Sequence, residues 1–400
     1  MTDLIVINDE PVNFHFPDHY KYVYLDLLKK DYNIETKMIV TEKGESSFNH
    51  KNILIKLKKS STKSFLKRVF YSVYLMFSVF KTLMFNKKVK GVKYIMVHDE
   101  PIVGAISYLV CKIKGKKFIY RITHLKAEEV GQTPGFKYRI LSSVAIFLRN
   151  TLLKKADAVI VMSNEMKRYF EKSIKRDMHV ISSCIKLNND VPLNDIPEEI
   201  INLKASITKN SLCYLGTISR FRGLSFIIDV MHNLHLKGFK KKLYIFGKGT
   251  EDDFIYLKNS IKDLKLEDYI YLHNQIPMDH LKYVIEEVRI GLSPYLFDDN
   301  YVLKYNSPLK TLDYMSFGKF VVGSDIDDHL ETIINSNSGE VAPNKADDFS
   351  DAIIRLEKRL NKLTEQEEEE HVEIFSNWLK ENRSLGVSAK KVYNVLETLS

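Results

Sequence analysis

Short apolar strands alternate with helical segments along the first half of this 400-residue chain, and the pattern then starts again. In the first half, Leu4-Ile5-Val6-Ile7, Glu35 to Val40, Tyr94 to His98, Lys117 to Thr123 and Ala156 to Ser163 read as strands. Helical stretches near residues 20–30, 101–113 and 138–153 separate them, and Asn8-Asp9-Glu10-Pro11 reads as a turn. Strands apolar on both sides, each followed by a helix, belong in a parallel sheet covered on both faces. The series stops near Ile181-Ser182-Ser183-Cys184, and the polar stretch 188–210, with Pro192 and Pro197, reads as a linker. Strands resume with Leu212 to Gly216, 242–246, 269–272, 290–293 and 320–322. The sequence therefore predicts an α/β protein with two doubly wound, Rossmann-like domains, one at 1–190 and one at 211–360, with a linker at 191–210. Ligands of such sheets bind beyond the carboxyl ends of the strands, which predicts a site in the cleft between the domains.

Composition narrows the function. A hydrophobic fraction of 44% and a charged fraction of 28% are those of a globular protein. Cys111, Cys184 and Cys213 are far apart and match no metal spacing, which fits a reducing cytosol. Met1-Thr2-Asp3 offers no basic leader, and no segment reaches the ~20 apolar residues of a spanning helix, so a cytoplasmic location is expected. The net charge of +9 is unevenly placed: from Ser46 to Val97 there is no Asp or Glu, while twelve lysines and arginines fall inside. That span encloses the apolar and aromatic run Val69 to Phe80. A helix of this kind bracketed by cations suits the surface of an anionic bilayer. No zinc-finger spacing, aromatic RNA-binding signature or basic zipper accompanies the charge, which argues against nucleic acid.

The segment Asn306-Ser307-Pro308-Leu309-Lys310-Thr311-Leu312-Asp313-Tyr314-Met315-Ser316-Phe317-Gly318-Lys319-Phe320-Val321-Val322 carries the clearest chemistry. Ser307 reads as an N-cap, Pro308 as the first helical residue, Gly318 as the stop, and 320–322 as a buried strand. First-turn N–H groups at Leu309 and Lys310, backed by the helix dipole, form an anion site suited to phosphate. Asp313 stands three residues after Lys310 on the same face, placed to hold a sugar hydroxyl.

This segment resembles the donor-site helix of the retaining GT-B glycosyltransferases, family 4 (glycosyl transferases group 1). The resemblance is specific in the second half of the chain and looser in the first. It implies the GT-B architecture, with helices from 361–400 returning towards the first domain, and a nucleotide-sugar donor. It also implies roles for further residues. In Tyr214 to Leu224, Gly216 ends a strand and Arg222, before Gly223, matches one of two cations that meet the donor diphosphate. The other position holds Thr217, and Arg220 is placed to supply that charge. Gly247 of Phe246-Gly247-Lys248-Gly249 lines the nucleotide site, and the backbone around Gln275 and Ile276 contacts the base. The two carboxylates of the family map to Tyr305 and Asp313, so only the ribose-binding one remains, shortened by a methylene. Asp298, Asp299 and Asn300 are nearby polar residues. His124, after Tyr120-Arg121-Ile122-Thr123, addresses the donor sugar, with His98 a weaker candidate. Asp325-Ile326-Asp327 looks like a metal motif of a different fold but follows a core strand, and is read as coincidence.

The expectation is thus a retaining, metal-independent glycosyltransferase, peripheral on the inner face of the cell membrane. It uses a UDP- or GDP-linked sugar as substrate, needs no cofactor, and acts on a glycan or lipid-linked acceptor in bacterial surface polysaccharide assembly. Two other readings start from the same residues. A catalytically silent nucleotide-sugar-binding scaffold fits the losses at Tyr305 and Thr217, and a GT-B nucleotide-sugar epimerase would need no acceptor.

Overall fold

The computed structural model describes residues 3–11, 22–42, 53–58, 65–187, 196–219, 223–297 and 300–400. Arg220, Arg222, Asp298 and Asp299 lie outside the described residues, as do Lys59 and the side chains of Lys58, Lys67 and Arg68. The chain divides into two compact units: Met1–Ser182 with Leu385–Ser400, and Ser183–Ser384.

Unit 1 is built on β1 (Leu4–Pro11), β2 (Thr36–Glu42), β3 (Ile53–Lys58), β4 (Tyr94–His98), β5 (Lys117–Ile122), β6 (Ala158–Val161) and β7 (His179–Val180). They form one seven-stranded sheet in the order β3-β2-β1-β4-β5-β6-β7. The pairs are parallel, with Leu4 opposite Thr36 on one side and Tyr94 on the other. Strand order reverses between β1 and β4, so this is the switch point where such a sheet opens to ligands. Every residue of β4 and β6 is buried, as the unbroken apolar runs require. A π-helical turn, Tyr22–Leu27, runs into α1 (Leu28–Tyr32) between β1 and β2. The later crossovers carry α2 (Phe65–Phe85), α3 (Pro101–Lys114), α4 (Lys126–Gln132), α5 (Phe136–Lys155) and α6 (Asn164–Glu171). Because parallel crossovers are right-handed, these lie on the face opposite α1. There α2 packs on α3 and α3 on α5.

Asn8 to Pro11 departs from the predicted turn: β1 continues through Pro11, which pairs with Thr41 after an irregularity beyond Asn8. The neighbouring β2 extends far enough to hold these turn-prone residues in the ladder. Its other neighbour, β3, lies in the first part of the basic span, before the apolar run at Val69, where no strand was predicted.

Unit 2 begins with α7 (Glu198–Ser206), a helix inside the span read as a linker. It is followed by β8 (Ser211–Leu215), α8 (Leu224–Leu236), β9 (Leu243–Gly247), α9 (Glu251–Asp263), β10 (Ile270–Asn274), α10 (Met278–Val284) and β11 (Val288–Ser293). Then come α11 (Leu309–Ser316), β12 (Phe320–Ser324), one turn of α12 (Asp327–His329), β13 (Gly339–Ala342), α13 (Ala346–Leu360) and α14 (Glu365–Asn382). The six-stranded sheet runs β10-β9-β8-β11-β12-β13, again parallel, with its switch point between β8 and β11. Thr364 and Glu367 close a capping box at the start of α14. Of the acidic run there, Glu368 pairs with Arg289 at 2.5 Å rather than facing only solvent.

The chain leaves unit 2 after Ser384, and α15 (Leu385–Glu397) completes unit 1. It packs on the π-helical turn and on α1, with Tyr393 stacked on Tyr32 at 4.4 Å. Two doubly wound parallel sheets in sequence are the fold expected from the alternation of strands and helices.

Candidate functional site

In unit 2 the site is organised by α11. Gly318, at φ 71°, ends the helix, and the Gly318 and Lys319 N–H groups return to Met315 and Tyr314 carbonyls at 3.0 and 2.9 Å. That is the double bond of a Schellman stop, which a side chain at this φ would strain. The other end differs from expectation. Pro308 occupies the cap position and no side chain caps the helix, which starts at Leu309. The Ser307 hydroxyl is turned away to accept from the Ser183 N–H at 3.1 Å and the Arg383 guanidinium at 3.4 Å. Ser183 in turn donates to the Ser307 carbonyl at 2.7 Å. Arg383 itself is buried in an ion pair with Asp328 at 2.9 Å. A pair so enclosed needs all its donors placed, and Ser307 takes one of them. Ser307 therefore anchors the helix start rather than capping it, leaving the first-turn N–H groups without a side-chain acceptor from the N-cap.

Lys310 reaches back over the carboxyl ends of the central strands. Its Nζ lies 4.5 Å from the Tyr214 ring centre and 5.0 Å from that of Tyr295, and donates to the Tyr214 hydroxyl at 3.4 Å. Tyr214 comes from β8, and Tyr295 follows β11, so the ammonium stands at the switch point, held by two aromatic faces. Beneath it, His329 is fully buried. Its Nδ1 donates to the Ser324 carbonyl at 2.7 Å, leaving Nε2 to accept from Thr311 at 3.0 Å and Ser293 at 3.2 Å. Burial lowers the imidazole pKa to about 4, so it is neutral at physiological pH. This neutral ring ties α11 to β11 and β12. Sequence reasoning did not single out Tyr214, Tyr295 or His329, whose partners are brought together only by the sheet.

Asp313 lies on the same helix, partly open to solvent. Desolvation pushes its carboxyl from 3.8 up to about 7. An acid in that range is readily ionised by a ligand that donates hydrogen bonds to it.

The glycines have a structural cause. A Cβ on Gly247 would lie 1.8 Å from the Gly216 carbonyl oxygen, so the loops after β8 and β9 can touch only through glycine. Gly216 itself sits at φ 148° and donates to the Phe246 carbonyl at 3.0 Å. Gln275 is exposed after β10, while Ile276 is buried in the unit 2 core. Leu309 is 43% exposed at the helix start, and Tyr305 closes a 3-10 turn as a partly buried residue.

In unit 1, Asp99 organises the loops beside the switch point. It is left-handed, with φ 53°. Its carboxylate accepts from the Thr123 N–H at 2.5 Å, the His124 N–H at 3.1 Å and the Thr123 hydroxyl. Through this clamp the loop after β5 is fixed and the His124 ring is left exposed. His98 is buried against Tyr24, and burial first, then Arg121, lowers its pKa well below the usual range. It lines a small cavity with Asn8, Leu75, Val79 and Glu100. Sequence reasoning passed over Asp99, although an acid directly after a buried strand was the available signal. Among the described residues no cluster of His, Cys, Asp and Glu is placed to hold a metal ion.

Two doubly wound parallel sheets, of seven and six strands, are the arrangement of the GT-B fold. Solved structures of that fold align with the whole chain. A sucrose-phosphate synthase from Thermosynechococcus elongatus matches with TM-score 0.72 at 12% identity, covering 100% of this chain and 99% of the other. Anabaena HepE in complex with UDP matches with TM-score 0.69 at 12% identity, covering 100% of both chains. The lipopolysaccharide outer core galactosyltransferase WaaB matches with TM-score 0.65 at 13% identity, also covering 100% of both. No curated relative matches at the sequence level. Residues 209–359, most of unit 2 and including α11, match the family Glycosyl transferases group 1.

Proposed function

We propose that this protein is a glycosyltransferase that moves a sugar from a nucleotide-sugar donor to a glycan or lipid-linked acceptor at an anionic membrane surface. The observation that carries the reading is the α11 start. Its uncapped first turn, the Lys310 ammonium and the Asp313 carboxyl are gathered at the carboxyl edge of a sheet whose residues match glycosyl transferases group 1. HepE binds UDP in its solved complex, which supports a uridine or similar diphosphate donor here. The first-turn N–H groups of α11 and the cations Arg220 and Arg222 hold the diphosphate, with Gly216 and Gly247 giving close backbone approach. Lys310 adds a charge beside them. Asp313 accepts from ribose hydroxyls, the backbone at Gln275 and Ile276 meets the base, and His124 addresses the sugar.

The chemical step follows from these roles. As the bond to the donor phosphate breaks, negative charge grows on the leaving nucleoside diphosphate. Fixed cations and helix N–H groups stabilise that charge more than they stabilise the ground state. The incoming hydroxyl approaches the face the phosphate leaves, and a phosphate oxygen takes its proton, giving retention without a metal. A glycan or lipid-linked acceptor places the reaction in surface polysaccharide assembly, in keeping with WaaB among the structural neighbours.

A second reading, a silent nucleotide-sugar-binding subunit, is favoured by Tyr305 and Thr217, where the family's carboxylate and cation are missing. A thermal-shift panel of nucleoside diphosphates and nucleotide sugars identifies the donor, since a ligand of the native state raises its stability. Hydrolysis or transfer of the stabilising nucleotide sugar then separates the readings. Binding without turnover on any acceptor tried selects the silent subunit, and no stabilisation by any nucleotide refutes both.

A further inference from the structure

We propose that the outer face of α2, α3 and α5 is a docking surface for an anionic lipid bilayer. Phe70 and Phe77 on α2 are 73% and 67% exposed, Ile113 on α3 is 59% exposed, and Phe136 and Phe147 on α5 are 79% and 70% exposed. The α2 pair is seven residues apart and the α5 pair eleven, so each pair lies along one stripe of its helix. Since α2 packs on α3 and α3 on α5, the stripes lie side by side over one face of the sheet. Every large apolar side chain that unit 1 exposes, among the described residues, is on these three helices. Scattered exposed apolar residues are ordinary, but a contiguous aromatic face marks an interaction surface.

The charge on the same helices selects the partner. Their 21, 14 and 20 residues include no Asp or Glu. Exposed cations stand among the apolar groups: Lys81 on α2, Lys112 and Lys114 on α3, Lys137 and Arg139 on α5. A second copy meeting this face about a two-fold axis would set cation against cation. A bilayer with anionic headgroups over an apolar interior complements both properties at once. The helices lie along the surface. Leu75, Val79 and Leu83 fix the inner side of α2 in the unit 1 core, and no described helix is long and apolar enough to cross a membrane.

The surface deepens the proposed function by naming the partner that would present a lipid-linked acceptor, and for that purpose it rests on the glycosyltransferase reading. Binding itself does not depend on the donor. The full chain is floated with vesicles of phosphatidylcholine alone or with about a third phosphatidylglycerol, at low and high salt. Binding should require the anionic lipid and weaken with salt, each cation near the surface contributing about fivefold. Charge reversal at Lys81, Lys112, Lys137 and Arg139 should lower binding at least a hundredfold. Serine at Phe70, Phe77, Phe136 and Phe147 should remove the salt-resistant remainder. Both variants change exposed residues, and circular dichroism and nucleotide thermal shift confirm that they are folded. The proposal is overturned if the parent ignores anionic vesicles at low salt, if folded variants bind like the parent, or if the face proves to be a dimer contact that vesicles do not displace. Loss of nucleotide binding with docking intact would count against the glycosyltransferase reading alone.

Discussion

Replacing Asp313 with asparagine tests the site through one proton. The carboxyl titrates at about 7 because it is desolvated, and the proposed ribose contact requires it ionised. Ionisation is then a condition for binding, and apparent affinity scales with the ionised fraction. That fraction is about one-tenth at pH 6 and nine-tenths at pH 8 for an acid of this strength, so a nucleotide sugar should bind about tenfold more weakly at pH 6. Intact nucleotide sugars suit the assay because a free terminal phosphate titrates near pH 6 on its own. Calorimetry at pH 6, 7 and 8 in two buffers of different ionisation enthalpy reads both affinity and protons released. The parent should release close to one proton at pH 6, and Asp313→Asn should bind weakly with little pH dependence. A parent profile unchanged in the asparagine variant would sink the assignment.

The same group makes a prediction for the free protein. With its folded pKa raised, Asp313 holds its proton more tightly in the native state than in the unfolded chain. Its contribution to stability is therefore fully present below about 3.8 and is lost as pH rises through about 7. Asparagine avoids that loss. Asp313→Asn should match the parent in urea titrations only at pH 3.8 and below, draw ahead progressively as the pH rises towards 7, and hold its full advantage at pH 8. Moving the carboxyl from 3.8 to about 7 corresponds to about 4 kcal/mol, and its partial exposure reduces this to roughly 1–3 kcal/mol. Equal stability of the two proteins at pH 8 would mean that the carboxyl is not desolvated.

Three further outcomes bear on the remaining parts. Arg222→Ala should reduce transfer by about a hundredfold or more, as loss of a charge-stabilising donor does, with partial rescue by lysine; undiminished turnover would remove Arg222 from the site. Transfer should survive EDTA, and an enzyme silenced by chelation and restored by manganese would overturn the metal-independent mechanism. Ser307→Ala strands the buried Ser183 N–H and should cost about 1–3 kcal/mol, seen as a lower urea midpoint with unchanged slope; a neutral result would show that Ser307 does not anchor the helix start.

Local signals were sufficient for much of this architecture. Buried parallel strands read directly as unbroken apolar runs, and Gly318 as the stop of α11, because each depends on a few consecutive residues. Ser307 was misread because its partners, Ser183 and Arg383, lie 124 and 76 residues away and compete with the local cap. The strand β3 was hidden in a basic span whose ladder partner supplies the order. Position alone identified Lys310 and Asp313 as candidates, but not the tyrosine rings that hold the ammonium or the desolvation that raises the acid. Those follow from which strands become neighbours, and neither helical nor strand periodicity encodes that.

The place of α15 sets an order on how the molecule is made. Unit 2 is one continuous stretch, whereas unit 1 is closed by a helix that follows it in the chain. During synthesis the first 182 residues emerge without the helix that covers α1, and unit 2 is complete before that helix appears. Domains usually finish in chain order, but here the second can finish first, leaving the Tyr32 side of unit 1 uncovered meanwhile. A nascent chain stalled shortly after Ser384 has cleared the ribosome should resist protease over unit 2 while unit 1 is still cut.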